Sequence, residues 1–456
     1  MRRVAITGIG VVCPLGADTA AFWNNCLLGN AAVAPIPEEW KAYCSYSSNI
    51  WAPLPAIDLL KFRINRIEIM QSDMTALLAI AAADQALAMS GVRLTLCNEK
   101  KNSYTLNAID PLRCGVFMGT GIGGIASFAA NQGHQLYAPL RAAIKGACAG
   151  VLPSEAANAA GRRMDGLLRY PPRFHPFAVA MSMPNTAAAA VGNKYSLHGP
   201  NQVYCNACAA GLTAIGRGFS AIRDGEADWA LAGGVEYLHD DYGGVFRGFD
   251  AAKTLVSAGN DPLTANRPFD KKRSGFLLAE GGAAVLVLET FEHALARGAI
   301  PIAEICSFAE TFDAFNMMSP DPSGKHIERM VRMALEKAGL PSKDIDYINA
   351  HGTATMVNDE IEANIIERIF GNGPLVNATK SLTGHAIGAS GAIEAAVTAL
   401  SLKHQATHAC KNLFDPIRPL RFVREAGPFN LRNALTQSFA FGGHNAALVL
   451  ARWGAS

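Results

Sequence analysis

The chain has 456 residues, half of them apolar and only 17% charged, with a formal net charge of +2. Against about 25% charged residues in an average domain, this describes a soluble globular protein with a large core and apolar surface left over for an interface. So small a net charge excludes a field strong enough for nucleic acid, leaving local patches to attract any acidic partner, and no run reaches the ~20 unbroken apolar residues of a membrane helix.

The first element in chain order is a strand in "RVAITGIGVV", ending in a turn at 14–16 rather than forming a targeting segment, because two glycines break the apolar run. Further strands are expected in "CGVFMGTG", "DWALAGGVE", "AAVLVLE", "DYINAHGT", "LTQSFAFGG" and "AALVLARW", with helices at 73–90, 208–224, 326–339, 359–370 and 388–404. Alternation of short apolar runs with Ala-rich helical patterns is the mark of βαβ units, hence an α/β protein. The pattern runs twice: a first series closes near Glu236 and a second begins near Ala283, with a long loop between them. Segments 93–110 and 131–175 are expected to be insertions, the latter irregular. Ten cysteines are scattered, with a single CxxC at 205/208, so neither a disulfide framework nor a four-ligand zinc site is expected, and a reducing cytoplasm fits.

Three Gly-rich stretches stand at the ends of these elements. "GTGIGG" at 119–124 matches the dinucleotide fingerprint, yet no Asp or Glu follows between 125 and 154, where that site needs an acid. Its glycines are read as backbone packed closely around a pocket. "FGGHN" at 441–445 is either a simple hairpin or part of a site. "TGHAIGASG" at 383–391 puts His385 at the start of a helix, where backbone amides favour anionic oxygens.

"YCNACAAG" at 204–211 leaves three readings of Cys208: a nucleophile, a redox or metal pair with Cys205, or a core thiol. A helix start stabilises a thiolate, and Cys208 stands where the helix should begin, beside small residues that leave room at the sulfur. A buried structural thiol is the commoner fate, and Cys205 keeps that reading. His351, at the end of a strand and before a Gly-Thr turn, together with His385 and Lys380, makes the set less ordinary: all four lie at strand or helix ends, where parallel sheets present their chemistry.

"NACAAG", "NAHGTATMVNDEIE", "TKSLTGHAIGASGAIEA" and "SFAFGGHNA", preceded by "RPFDKKRSGFLLAEGG", resemble the signature blocks of the elongating β-ketoacyl-acyl carrier protein synthases and the related type II polyketide ketosynthases. The blocks run in family order over nearly the whole chain. The resemblance implies the thiolase fold, duplicated βαβαβ halves in a five-layer α/β/α/β/α sandwich, divided here as 1–265 with the nucleophile and 266–456 with the His and Lys residues. It implies decarboxylative condensation of an acyl chain held on Cys208 with a malonyl thioester. His351 and His385 would bind the malonyl thioester oxygen, Lys380 would order them, and the amides of Cys208 and Phe441 would form the oxyanion hole. Asp359, Glu362 and Glu280 would be supporting acids. Ile122 and Phe249 would line the acyl pocket, with Phe441 as its gate.

No metal or other cofactor is implied, the acyl groups arriving on an acidic acyl carrier protein. Lys253 matches a cationic docking position, and Lys61, Arg63 and Arg66 form a second candidate cluster. The implied assembly is a homodimer, or a heterodimer with a chain-length-factor-like homologue. Competing readings are a thiolase, whose second cysteine should fall near "FAFGGHNA" although no Cys follows 410; a noncatalytic chain-length factor, which generally lacks the nucleophile; and a Cys/His hydrolase, which leaves Lys380 and the second His unexplained. Asn206, Ala440, His444 and Met356 depart from the usual pattern. With the added length, they favour a polyketide or polyene ketosynthase over a housekeeping fatty-acid enzyme.

Overall fold

The computed structural model describes residues 2–168, 174–257, 259 and 261–454. Ten strands carry the fold: β1 (Val4–Val12), β2 (Cys114–Gly119), β3 (Asn201–Tyr204), β4 (Trp229–Tyr237), β5 (Gly281–Thr290), β6 (Ala303–Phe312), β7 (Tyr347–Asn349), β8 (Leu375–Asn377), β9 (Asn433–Phe439) and β10 (His444–Arg452). Their spatial order is β8-β7-β9-β10-β6-β1-β5-β4-β2-β3. From the middle outward the two sides repeat one another. β1 pairs antiparallel with β5, β5 antiparallel with β4, and β4 parallel with β2, which is parallel to β3. On the other side β6, β10, β9, β7 and β8 follow with the same senses. A short antiparallel ladder, Val4 to Ile305 through Ile6 to Ala303, joins the halves.

The longer helices are α1 (Met74–Met89), α2 (Ile125–Val151), α3 (Ser154–Leu168), α4 (Thr186–Tyr195), α5 (Ala210–Arg223), α6 (Lys325–Ala338), α7 (Met356–Phe370) and α8 (Ser390–His404), of which all but α2 and α3 fill three layers. α1 and α4 pack on one face of the first half, α6 and α7 on the far face of the second, and α5 and α8 lie between. Side chains of a strand alternate between its faces, and β5 shows the result: Ala284, Leu286 and Leu288 enter the central core while Ala283, Val285 and Val287 enter the outer one. β10 does the same with Leu448 and Leu450 against Ala447 and Val449. Both faces being covered, these strands read as continuous apolar runs. The five-layer α/β sandwich expected of a thiolase fold is present.

Two details differ from expectation. β5 was expected to open the second half, but it is bonded between β1 and β4 of the first; the change-over falls between β5 and β6, not at 265. An apolar run flanked by glycines carries no record of which neighbours it will pair with. Segment 131–175 is not irregular where described: α2 continues to Val151, with Pro139 inside it, and α3 follows. Its glycines and proline read as breakers, while the Ala-rich spacing between them sustains the helix. Residues 169–173 of that segment lie outside the described residues. Within 93–110, Leu94–Asn98 and Ser103–Leu106 form a hairpin. Among the described residues no helix is long and apolar enough to cross a membrane.

Close packing at glycine seats the start of α5 on the ends of β2 and β4. A Cβ on Gly119 would lie 2.2 Å from the carbonyl carbon of Ala210, and one on Gly234 would lie 2.7 Å from the Cα of Gly211. Cys208, just before α5, is thereby held at the C-terminal edge of the parallel strands.

Candidate active site

Cys208 lies in a single 3-10 turn, Ala207–Ala209, that leads into α5. The turn is matched in the second half by Ile387–Ala389, which leads into α8 just after His385. Ala207 and Ile387 share φ 43°, a left-handed conformation that is costly for any residue with a Cβ and most so for a β-branched one. The second turn meets the Gly-rich loop at 120–122 over a carboxylate. Glu236, fully buried, accepts the Gly121, Ile122 and Gly388 amides at 2.6, 3.1 and 3.0 Å and the Thr120 hydroxyl at 3.1 Å. Burial raises the pKa of this carboxyl group while the three amides and the hydroxyl pull it down, and the group locks the Gly-rich loop of one half to the histidine loop of the other.

His385 Nε2 stands 3.0 Å from Cys208 Sγ, and its ring meets that of His351 edge-on at 5.6 Å between centroids. The His385 backbone is pinned by 277–279: its amide donates to Leu277 O at 2.7 Å and its carbonyl accepts from Ala279 at 3.0 Å. His351 leaves the end of β7, and its loop is gathered onto the start of α7. Glu362 accepts the His351 and Gly352 amides at 2.7 and 2.8 Å and the Gln437 amide group at 2.7 Å. Asp359 accepts from Thr353, Ala354 and Phe269 at 3.0, 3.1 and 2.8 Å. These two acids brace the loop.

Lys380 Nζ donates to His351 Nδ1 at 3.0 Å and His351 O at 2.7 Å, and its third proton faces Glu394 in a buried ion pair. An ammonium only donates. Nδ1 of His351 must therefore be the acceptor, which leaves its proton on Nε2. Burial, with Lys380 nearby, holds both imidazoles well below their usual range, so both are neutral.

The same burial pushes the Cys208 thiol up to about 12, although Lys380 and the amides of Phe441 and Cys208 itself pull it down. A thiolate resting at the helix start was the expectation; desolvation outweighs that stabilisation, and the sulfur rests as a thiol against an imidazole. All ten cysteines are free, and Cys205 is exposed rather than buried.

Cys208, His351, His385 and Phe441 line one cavity of about 270 Å³, and Lys253, exposed, stands on its rim. Thr353 and Thr355, linked at 2.9 Å, and Met356 complete the mouth. Lys380, Asp359 and Glu362 lie behind these groups rather than at the cavity. Phe249 sits one ring further back: its ring is 5.6 Å from Phe276, which is 5.2 Å from His385. Ile122 is 37% exposed and enters the site through its amide alone. Glu280 takes other partners, the Leu54 amide at 2.7 Å and His239 Nδ1 at 2.8 Å, so its carboxylate does not reach the catalytic group. Arg63 is spent on a salt bridge to Asp84, while Lys61 and Arg66 are exposed but do not line the cavity. Ala440 does not take positive φ; Gly442 and Gly443 do, at 85° and 90°.

Glu394 and Glu236 went unread in the sequence. Each is the one carboxylate of a buried, largely apolar element, which is itself the signal, since an acid there needs a partner to be buried.

Residues 1–294 match the N-terminal domain of beta-ketoacyl synthases and residues 302–414 the C-terminal domain. The chain belongs to the β-ketoacyl synthase family. Curated members named 3-oxoacyl-[acyl-carrier-protein] synthase 2 are 33% identical in Coxiella burnetii and 35% in Rhizobium meliloti, each over 99% of both chains. Among solved structures, a beta-ketoacyl synthase from Burkholderia phymatum superposes with a TM-score of 0.80 at 29% identity, over 99% of this chain and 100% of that one. The ishigamide ketosynthase/chain length factor gives 0.80 at 27% identity with the same coverage. A type II polyketide ketosynthase in complex with its acyl-carrier protein gives 0.77 at 27%, over 99% of both chains. This β-ketoacyl synthase is thus a ketosynthase condensing enzyme, and the family boundary at 294/302 coincides with the change-over between β5 and β6.

Proposed function

We propose that this ketosynthase extends acyl chains delivered by an acyl carrier protein in polyketide or polyene biosynthesis, with Cys208, His351, His385 and Lys380 as its machinery. The observation that carries the assignment is a buried thiol 3.0 Å from one neutral imidazole, with a second imidazole facing the first across a shared cavity. In loading, Cys208 Sγ attacks the incoming thioester; its proton passes through His385 Nε2 to the departing carrier thiol. A malonyl thioester then enters, and its carbonyl oxygen accepts from Nε2–H of His351 and His385. The carboxylate C–C bond breaks, carbon dioxide leaves, and the electron pair is held as an enolate by those donors. Each such donor contributes about 3–4 kcal/mol to the barrier reduction. The enolate carbon attacks the Cys208 thioester, the Cys208 and Phe441 amides hold the tetrahedral oxyanion, and the sulfur departs as a thiolate that takes up one proton from solvent, the proton that loss of carbon dioxide consumes overall. Every step moves an acyl group, carbon dioxide or a proton, with solvent supplying the one proton consumed, so no cofactor is called for.

Docking of an acidic carrier at Lys253 is supported by its place on the rim. Assembly as a homodimer, or with a chain-length-factor-like partner, is supported by the exposed edge strand β3 and by the apolar face of α2, where Phe128, Leu136 and Leu140 are exposed. Fatty-acid elongation is the second reading, favoured by the names of the curated relatives. Intact-mass analysis after incubation with a panel of acylated carrier proteins tests the proposal. One acyl mass should appear on wild type and none on Cys208→Ala, followed by a two-carbon-extended product with malonyl carrier protein; condensation by Cys208→Ala at the wild-type rate sinks it.

A further inference from the structure

The two histidines are held at Nδ1 by different chemistry. His351 faces an ammonium, which only donates, so its proton stays on Nε2 throughout. His385 Nδ1 faces the hydroxyl of Ser390 at 2.8 Å, and that side chain is 3% exposed. One lone pair of Ser390 Oγ is taken by the Ala386 amide at 2.9 Å. What remains is one proton and one lone pair, both directed by rotation about a single bond, so the hydroxyl can either donate to Nδ1 or accept from it.

The proposed reaction asks His385 for two opposite things. In loading, Nε2 must accept the Cys208 proton, which places the ring proton on Nδ1. In decarboxylation Cys208 is a thioester with no proton to give, and Nε2 must donate to the malonyl oxygen. We propose that Ser390 is a positioning residue that bonds His385 Nδ1 in both tautomers, so that the ring changes role between the two half-reactions without changing place. Before acylation the Cys208 S–H donates to Nε2, and Nδ1–H donates to Ser390 Oγ. After acylation, when the Cys208 proton has left on the carrier thiol, Nε2 takes up a proton from water in the cavity and Nδ1 gives its own up to water, so the ring stays neutral with its proton on Nε2 and Ser390 Oγ–H donates to Nδ1. A lysine here would fix the second state and impair loading; an alanine would leave Nδ1 and the Ala386 amide without their partner.

The inference rests on the reading of Cys208 and His385 above, and its test is separable from that reading. Protein labelled with 15N in histidine is compared by NMR with the Cys208 thiol free and after iodoacetamide has converted it to a thioether, which removes the S–H without any carrier protein. Wild type and Ser390→Thr should move the His385 proton from Nδ1 to Nε2, and Ser390→Ala should give a mixed or unchanged tautomer in the thioether form. In parallel, malonyl decarboxylation by Ser390→Ala should fall roughly tenfold, with Ser390→Thr within about threefold of wild type and melting temperatures of both recorded. An identical tautomer in thiol and thioether forms of wild type overturns the proposal, as does wild-type decarboxylation by Ser390→Ala, or equal loss in the Ala and Thr variants at unchanged melting temperature. If wild type gains no acyl mass, the function proposed above fails, while the NMR comparison still decides the role of the hydroxyl.

Discussion

The buried pair Lys380–Glu394 allows folding and catalysis to be pulled apart. Both side chains are at most 3% exposed, and Lys380 spends its remaining donors on His351. Removing one partner leaves an uncompensated charge in the core, which costs about 3–5 kcal/mol. At roughly 2.1 cal/mol/K per residue, unfolding of a chain this long carries an entropy near 1 kcal/mol/K, so Lys380→Met and Glu394→Leu should each lower Tm by about 3–5 °C. Removing both charges leaves apolar groups of similar volume, a change that is near neutral. The double variant should therefore recover most of the loss, with a coupling energy of several kcal/mol.

Activity should not recover with it. Without the ammonium nothing compels the His351 proton onto Nε2, so the double variant should release carbon dioxide from a malonyl thioester at least ~10-fold more slowly than wild type. The assays are thermal unfolding of the four proteins and carbon dioxide release at saturating substrate. Additive Tm losses, or a double variant with wild-type decarboxylation, would refute the argument.

Three further outcomes follow from the same geometry. His351→Ala removes a malonyl-facing donor that does not touch Cys208, so single-turnover acyl loading should persist while decarboxylation falls by about 10²–10³-fold; parallel loss of both contradicts the division of labour. Burial raises the thiols of Cys13, Cys114, Cys208, Cys306 and Cys410 to about 12. Their folded pKa values lie above the unfolded one near 8.5, so the folded chain binds more protons there, and stability is lost as pH climbs from about 8.5 towards 12. Each thiol contributes about 1.4 kcal/mol per pH unit in that window; denaturant midpoints from pH 7 to 10.5 that stay level would contradict it. Lys253→Glu should raise KM for a carrier-bound substrate several-fold in low salt and leave KM for a small thioester unchanged; an equal change in both would remove Lys253 from docking.

The groups of the proposed site are legible because each is a chemically distinctive residue at the end of an element. Cys208, His351, Lys380 and His385 follow strands or precede helices that apolar periodicity locates, and their order matched a known family. What was not legible depends on contacts between distant segments. The pairing of β5 with β1 and β4 cannot be read from its apolar run, and the partner of Glu394 lies on another helix. The protonation state of Cys208 is not legible for the same reason: the helix start is local and visible, whereas the desolvation that overrides it comes from the whole surrounding core. Ala440 departs from the family pattern without backbone strain, since the positive φ angles of that loop fall on Gly442 and Gly443.

In the proposed reaction the repeated halves contribute unequally. One brings the sulfur, on the turn before α5, and the other brings both imidazoles and the lysine, with the join at the segment between β5 and β6. A polypeptide cut in that segment would yield two fragments that are each chemically silent, since neither owns a complete set of reacting atoms. Turnover by such fragments would report their reassembly directly, and the enzyme could serve as a sensor of its own association.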